Sequence, residues 1–463
     1  MSQNFHRWWQ DAIFYHIYPL GFCGALTRND FYAEPVNRIQ KVADWIAHLR
    51  DLGVTALYLG PVFESTYHGY DTADYFRVDR RLGSNADLAV LSRSLHENGI
   101  RLVLDGVFNH VGREFFAFRD VQQKGQASEY CSWFANLRFD GQSPFGDPFT
   151  YDGWSGNHDL VKLNLANPAV RAHLFNAVRS WAEEFGIDGL RLDAADVLDE
   201  GFLKELRQVT TALKPDFWLM GEIVGGDYRR LANPDILHSA TNYECYKGLY
   251  SSLVDKNYFE IAWSLNRQFG ADGLYRDLPL YNFADNHDVD RVASSLSNPA
   301  LLYPLYCLLY TMPGIPSIYY GSEWGITGKR SRSDDSALRP CLDLRALQES
   351  SPQPVLPVVL RRLADLRASL PVLRGGGYAQ LHVSHEQFAF LRERGTERVV
   401  VALNSAAEPA SMTIPLPFQA TCAVDLLNNN ETFTVQDGKL FLPKVPARWA
   451  RVMRLDWATK VQV

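Results

Sequence analysis

Short apolar runs recur through the first three quarters of the chain, at 12–18, 55–59, 101–107, 187–193, 217–222, 280–284 and 315–320. Their continuous apolar character predicts parallel strands covered on both faces. Between them lie segments with a single apolar stripe. Over 87–98 the stripe is Leu88, Leu91 and Leu95, entered after Ser84-Asn85 and closed before Gly99. A second helix is predicted with Asn167 as its cap and Pro168 in its first turn. Its stripe is Val170, Leu174, Val178, Trp181 and Phe185, and Gly186 ends it. Strands alternating with helices predict βαβ units with right-handed crossovers. Seven such strands, with an eighth expected at 236–241, predict an α/β chain built on a (β/α)8 barrel, a fold of about 250 residues.

One spacing breaks this rhythm. Asp105, at the end of the third strand, and Asp193, at the end of the fourth, lie 88 positions apart. A single βα unit takes about 31 residues. An inserted subdomain is therefore expected over 111–165, rich in aromatic residues such as Trp133, Phe134, Phe145, Tyr151 and Trp154. Residues 1–110 and 166–373 are expected to form the barrel, with its last helix at 355–370 after the Pro- and Ser-containing loop 350–354. Over 374–463 the period changes. Runs at 387–391, 398–403, 432–435 and 439–442 read as short strands, and Asp437-Gly438 is a two-residue hairpin signal. This last part is expected to be a separate all-β sandwich domain.

Composition narrows the function. Asp and Glu number 53 against 46 Lys and Arg, a net charge of −7, which disfavours nucleic acid and anionic membranes as partners. No stretch approaches the roughly 18 apolar residues that cross a bilayer. No signal-peptide pattern opens the chain. The six cysteines lie far apart, without a CxxC pair, as expected of reduced thiols in a cytoplasmic protein.

Four segments place carboxylates, Arg and His at predicted strand ends. They are Asp105-Gly-Val-Phe-Asn109-His110, Gly189-Leu-Arg191-Leu-Asp193, Gly221-Glu222 and Phe283-Ala-Asp285-Asn286-His287-Asp288. Polar residues at the C-terminal ends of barrel strands read as catalytic, because the adjoining loops form the pocket. Strand geometry puts Arg191 and Asp193 on one side. Crowding Asp193, Glu222 and Asp288 raises at least one pKa, while Arg191 can keep Asp193 ionised. One charged and one protonated carboxyl is what glycoside hydrolysis requires. His110 and His287 belong to no HxH or HExxH pattern, so hydroxyl binding is preferred over zinc and no metal ligand is assigned.

In order and spacing these segments resemble the four short conserved regions of the α-amylase superfamily of glycoside hydrolases. Flanking segments are similar too: Pro61-Val62-Phe63, His68-Gly-Tyr70-Asp71 and Gly314-Ile-Pro316-Ser-Ile-Tyr-Tyr-Gly321. The resemblance implies a barrel, an insert after strand three and a C-terminal β-sandwich. It implies Asp193 as nucleophile, Glu222 as acid and then base, and Asp288 as stabiliser of the oxocarbenium-like transition state. Arg191 would hold Asp193 and pair with Asp105. His110 and His287 would bind sugar hydroxyls, Tyr70 would stack beneath the ring, and Asn286 would join the substrate contacts. The mechanism implied is retaining, with the two carboxyl groups about 5–5.5 Å apart.

Departures from the pattern place the chain nearest the neopullulanase, cyclomaltodextrinase and cyclic maltosyl-maltose hydrolase branch. Lys162-Leu163-Asn164 is similar to the KLN segment of that branch, and Asp193-Ala194 resembles α-1,4-acting members. Asp196-Val197 replaces the Lys-His pair of calcium-binding amylases, so no cofactor is expected to be required, with a structural calcium at Asn109 left open. The extra N-terminal β-domain of many branch members has no counterpart before the first strand, which leaves monomer and homodimer open. The resemblance implies hydrolysis of α-1,4, and also α-1,6, linkages in maltooligosaccharides or small cyclic α-glucans. Two alternatives stand beside it: a transglycosylase or isomerase forming trehalose- or sucrose-type products, and a non-catalytic amylase-like binding protein.

Overall fold

A computed structural model describes residues 7–331 and 334–456. The outermost parts of the two terminal domain expectations, 1–6 and 457–463, lie outside the described residues. Eight parallel strands form the central sheet: β1 (Phe14–Ile17), β2 (Ala56–Leu59), β3 (Arg101–Gly106), β4 (Gly189–Leu192), β5 (Trp218–Gly221), β6 (Ser239–Ala240), β7 (Tyr281–Phe283) and β8 (Ile315–Tyr319). Each pairs with its neighbours in chain order, β1 pairs with β8, and a parallel bridge from Thr241 to Tyr281 links the β6 end to β7. The ring is therefore closed, as the sequence pattern predicts.

Alternation along the strands sorts the side chains into two layers. Phe14, Ala56, Tyr58, Val103, Trp218, Met220, Tyr281 and Phe283 fill the barrel, capped from below by Trp8 and Trp9. Leu57, Leu59, Leu102, Leu104, Leu190, Leu192 and Leu219 point out against the helices. Both faces are buried, which is why the strands read as unbroken apolar runs. The helices include α1 (Asn85–Glu97), α2 (Pro168–Glu184), α3 (Glu200–Leu213), α4 (Tyr243–Val254), α5 (Phe259–Phe269), α6 (Leu302–Thr311) and α7 (Leu356–Ser369). Ser84 and Asp87 form a capping box on α1, and Asn167 caps α2 through the Ala169 N–H. The alternation fails once: between β5 and β6 the chain makes only a single 3-10 turn at Tyr228–Arg230, and α4 and α5 then follow β6 as a pair. Gly225, Gly226 and Pro234 interrupt that connection and leave it no apolar stripe.

After β3 the chain leaves the barrel. His110–Gly112, Gly153–Trp154 and Asn157–Lys162 make a small antiparallel sheet that begins directly beyond the third strand end. At the other end of the sequence, eight antiparallel strands run from β9 (Gly377–Val383) and β10 (Gln387–Arg394) through β11 (Glu397–Asn404), β12 (Ala410–Pro415), β13 (Cys422–Asp425), β14 (Glu431–Gln436) and β15 (Lys439–Val445) to β16 (Trp449–Asp456). Ala389, Leu391, Val400 and Ala402 face a core shared with Met412, Ile414, Leu440 and Leu442, and Phe388, Phe390, Val399 and Val401 face the barrel. Asp437 and Gly438 both take positive φ, 52° and 70°, the left-handed pair of a tight hairpin turn.

Candidate active site

The interior register of the barrel delivers the site. Asp105 lies in phase with inward Val103, and Asp193 in phase with Arg191. Glu222 continues the inward column of Trp218 and Met220. Asp105 and Arg191 are direct lateral partners on β3 and β4. The first polar positions above the aromatic fill are therefore acidic, and they surround one cation. Arg191 Nη1 contacts Asp105 Oδ1 at 2.8 Å and Asp193 Oδ1 at 3.0 Å, and Nη2 contacts Glu222 Oε2 at 2.8 Å. Asp193 and Glu222 thus sit on the two arms of one guanidinium, within reach of a single sugar ring.

The turn after Asp193 adds to this. Ala194 takes a left-handed conformation, φ 46°, a cost of about 1 kcal/mol for a non-glycine residue. Its N–H donates to Glu222 Oε2 at 3.2 Å, and the next N–H, of Ala195, donates to the Glu222 carbonyl at 3.1 Å. The strained turn locks the loop carrying one carboxylate to the other.

A second half of the site comes from β2, β7 and their loops. Tyr70 OH donates to Asp105 Oδ2 at 3.1 Å and lies 2.5 Å from His287 Nε2, with the two rings nearly parallel. His287 Nε2 lies 3.0 Å from Asp288 Oδ2. Asn286 accepts the Asp288 N–H and donates to Tyr243 OH at 3.2 Å, and that phenol donates to Glu222 Oε1 at 3.2 Å. A ring of hydrogen bonds thereby runs from Arg191 through Asp105, Tyr70, His287, Asp288, Asn286, Tyr243 and Glu222 back to Arg191. Asp288 is the most open of the three acids. His110 lies across from it: Nε2 is 4.0 Å from Asp193 Oδ2 and has no hydrogen-bond partner, leaving it free for a ligand hydroxyl. Trp154 of the inserted sheet stacks on the His110 ring at 6.0 Å, so the insert does reach the site face.

Electrostatics follow from one cation among several acids. Burial pushes the Asp193 carboxyl well above its usual range; Arg191 opposes this, while Glu222, Asp105 and Asp288 reinforce it. Arg191 is the charge that favours ionised Asp193. Its charge is divided among three carboxylates. Asp105 is also raised by burial, against the pull of Arg191 and a 2.8 Å hydrogen bond from Tyr58. Burial lowers His110 to about 3 and holds His287 well below its usual value, so both rings are neutral at pH 7.

All nine sequence-predicted site residues come together. Asp285, in the same segment, does not join them: it binds the Val292 N–H and the Ser322 hydroxyl, holding the β7 loop to the β8 loop. Participants that the sequence reading missed include Tyr243, Arg339 and Tyr58, which donates to Asp105. Tyr243 is the first residue of α4, and its sequence signal is that of an ordinary helix start after the Asn242 cap. Arg339 contacts Asp288 Oδ1 at 3.2 Å and donates to the His287 carbonyl, from a loop without periodicity. The side-chain nitrogen of Asn109 lies beside His110 Nδ1 and its backbone carbonyl accepts the Leu163 N–H, while Asn164 is engaged with Ser132 and Ala166. Among the described residues no group of three or more His, Cys, Asp or Glu is placed to hold a metal.

A closed barrel with a carboxylate cluster at its C-terminal strand ends has its acids where barrel enzymes carry their chemistry. The alpha amylase catalytic domain model matches residues 17–351, and the maltogenic amylase C-terminal domain model matches 378–449. The chain belongs to the α-amylase family. It is 30% identical over 446 residues to a cyclomaltodextrinase of Geobacillus thermopakistaniensis, covering 91% of this chain and 73% of that protein. Against neopullulanase 2 of Thermoactinomyces vulgaris the identity is 31% over 441 residues, covering 89% and 72%. Among solved structures, the cyclic α-maltosyl-(1→6)-maltose hydrolase of Arthrobacter globiformis superposes with a TM-score of 0.80 at 26% identity, covering 97% of this chain and all of that one.

Proposed function

We propose that the protein hydrolyses α-1,4 linkages, and α-1,6 linkages secondarily, in maltooligosaccharides or small cyclic α-glucans, with retention at the anomeric carbon. The observation that carries this is the placement of Asp193 and Glu222 on two arms of Arg191, with Asp288 joined to both through the hydrogen-bond ring. The named activities of the relatives support the substrate class.

Bond breaking starts from the microstate with charge on Asp193 and the proton on Glu222. Asp193 attacks the anomeric carbon as Glu222 gives its proton to the departing oxygen, leaving a glycosyl ester on Asp193. Glu222 then takes a proton from water, which attacks the same carbon and frees Asp193. Asp288 faces the sugar opposite this pair and stabilises the positive charge that develops on the ring. His110 Nε2 and His287 bind hydroxyls as neutral groups, and Tyr70 supports the ring from the side of Asp105. No cofactor or calcium is needed for these steps. The six free cysteines support a reducing compartment, and among the described residues no helix is long and apolar enough to cross a membrane.

Product analysis on maltose, maltotriose, cyclodextrins, pullulan, panose and cyclic maltosyl-maltose tests the reading, with the first-formed anomer followed by NMR. Release of α-anomers, abolished in Asp193→Asn, is expected. Initial β-anomers, or full activity in that variant, would refute it.

A further inference from the structure

The barrel face opposite the acids carries a cavity of about 550 Å³. Asp11 before β1, Pro279 before β7 and Gly314 before β8 line one side of it, so it lies at the N-terminal strand ends. The other side comes from the short helix Pro371–Gly375 and from β10 of the C-terminal domain. Four arginines, Arg276, Arg374, Arg392 and Arg394, line the cavity against two aspartates, Asp11 and Asp277. In a chain of net charge −7 this gathers cations at one spot. Arg394 reaches over the short helix beside Arg374: its Nη1 lies 3.4 Å from the Pro371 carbonyl and 3.9 Å from where a Cβ on Gly375 would stand.

Behind the wall the imbalance deepens. Arg392 is 1% exposed, and its guanidinium meets the backbone carbonyls of Thr311, Leu373, Gly376 and Gly377. Arg367 of α7 is equally buried and meets the carbonyls of Tyr310, Leu373 and Gly314, with its Nε unpartnered. Among the described residues carbonyl dipoles, not carboxylates, hold both guanidinia. Arg374 pairs with Asp11 at 3.2 Å, and its Nε is buried without a partner. The crowding shows in the basicity of the cations: burial and Arg367 lower Arg392 to about 9, and burial and Arg374 lower Arg367 to about 10. A buried charge without a counter-charge is costly, and an anion in the cavity offsets that cost. Guanidinium forks match phosphate oxygens in pairs. Four arginines against two aspartates leave an excess of two positive charges on the lining, and a phosphate monoester carries roughly −1.5 to −2 at pH 7. We infer that this cavity is an anion site for a phosphate group, free or as the ester of a small molecule, held by Arg374 and Arg394 in front of Arg392. It is separate from the hydrolytic site, whose acids stand at the opposite strand ends.

The test is calorimetric titration with inorganic phosphate at neutral pH, with ionic strength held constant by sodium chloride and melting temperatures recorded alongside. Binding with a Kd below about 1 mM is expected, and a melting temperature raised by about 1–2 °C at about 10 mM phosphate. Arg374→Gln/Arg394→Gln should bind at least about tenfold more weakly. Arg394 is exposed, so Arg394→Gln alone leaves the core untouched, and it should weaken binding at least about threefold. Arg345→Gln changes a side chain that is 87% exposed on another helix and should bind like the parent. Tighter binding of glucose 6-phosphate than of inorganic phosphate would sustain the site with an ester as occupant, and weaker binding would sustain it with free phosphate. No binding heat and no melting shift in the parent would overturn the assignment. Equal affinity in the parent and both Arg394 variants, or a melting shift that those variants keep in full, would mark a general salt effect and overturn it as well.

Discussion

Arg191 and Glu222 are joined by an ion pair, Nη2 to Oε2 at 2.8 Å, formed by the same guanidinium that holds Asp193 and Asp105 through Nη1. A planar fork can serve three carboxylates at once, whereas a lysine ammonium is a single point charge on a flexible stem. Arg191→Lys should therefore leave at least one acid unpaired in a buried site. The expected result is a fall in kcat of at least about 100-fold and a lower melting temperature. Near-normal kcat in this variant would show that the shared cation is dispensable.

The same division of charge makes Asp193 a liability to the fold. Its carboxyl is held above the ordinary Asp value by burial and by its acidic neighbours. A carboxyl raised in the folded state favours folding below the unfolded value, near pH ~3.9, and that advantage is lost as pH climbs through the folded value. Asp193→Asn imitates the protonated form and keeps a hydrogen-bonding oxygen for Arg191, which retains Asp105 and Glu222 as counterions. The variant should be inactive yet melt about 1–3 °C higher than the parent at pH 7–8, with the difference vanishing near pH 4. A melting temperature lowered equally at both pH values would contradict this account.

Much of the barrel was legible because strands buried on both faces leave unbroken apolar runs, and the site acids sit at the ends of those runs. The C-terminal domain was half legible for a related reason. β16 was missed because Arg451 and Arg454 interrupt its pattern. Arg451 is buried only because Asp425 and Glu431 neutralise it, a tertiary fact with no local signal. β13 is four residues long and carries Asp425 itself. The absent helix between β5 and β6 was an error of extrapolated rhythm, since 222–238 never showed a helical stripe. Tyr243 and Arg339 escaped because a residue that acts by supporting another acid has no motif of its own. Asp193, by contrast, was visible, but its raised carboxyl was not, since that depends on how many neighbours share Arg191.

Chelation offers a check on the donor chemistry at Asn109. Its side-chain nitrogen lies beside His110 Nδ1 and its backbone carbonyl accepts the Leu163 N–H, and among the described residues no group of three or more His, Cys, Asp or Glu is placed to hold a metal. Dialysis against EDTA should leave activity within about 10% and shift the melting temperature by less than about 1 °C. Activity lost to EDTA and restored by Ca²⁺ would show that a metal is required after all.

Tyr243 is the most direct test of the hydrogen-bond ring, because its hydroxyl links Asn286 to Glu222. Tyr243→Phe keeps the ring packed edge-on against Phe283, 5.0 Å away, and removes only the oxygen. Glu222 Oε1 then loses a donor and the Asn286 amide loses its acceptor, each a net loss of about 1 kcal/mol. Because the Glu222 contact matters most as charge moves during proton transfer, the loss should appear in kcat, about tenfold, with KM for maltotriose changed less than about twofold. Tyr246→Phe, one turn along the same helix, supplies the control: its ring stacks on Phe283 at 5.1 Å, and kcat should not change. Equal effects from the two substitutions would assign Tyr243 to packing alone, and a tenfold loss confined to Tyr243 would tie its hydroxyl to the acid.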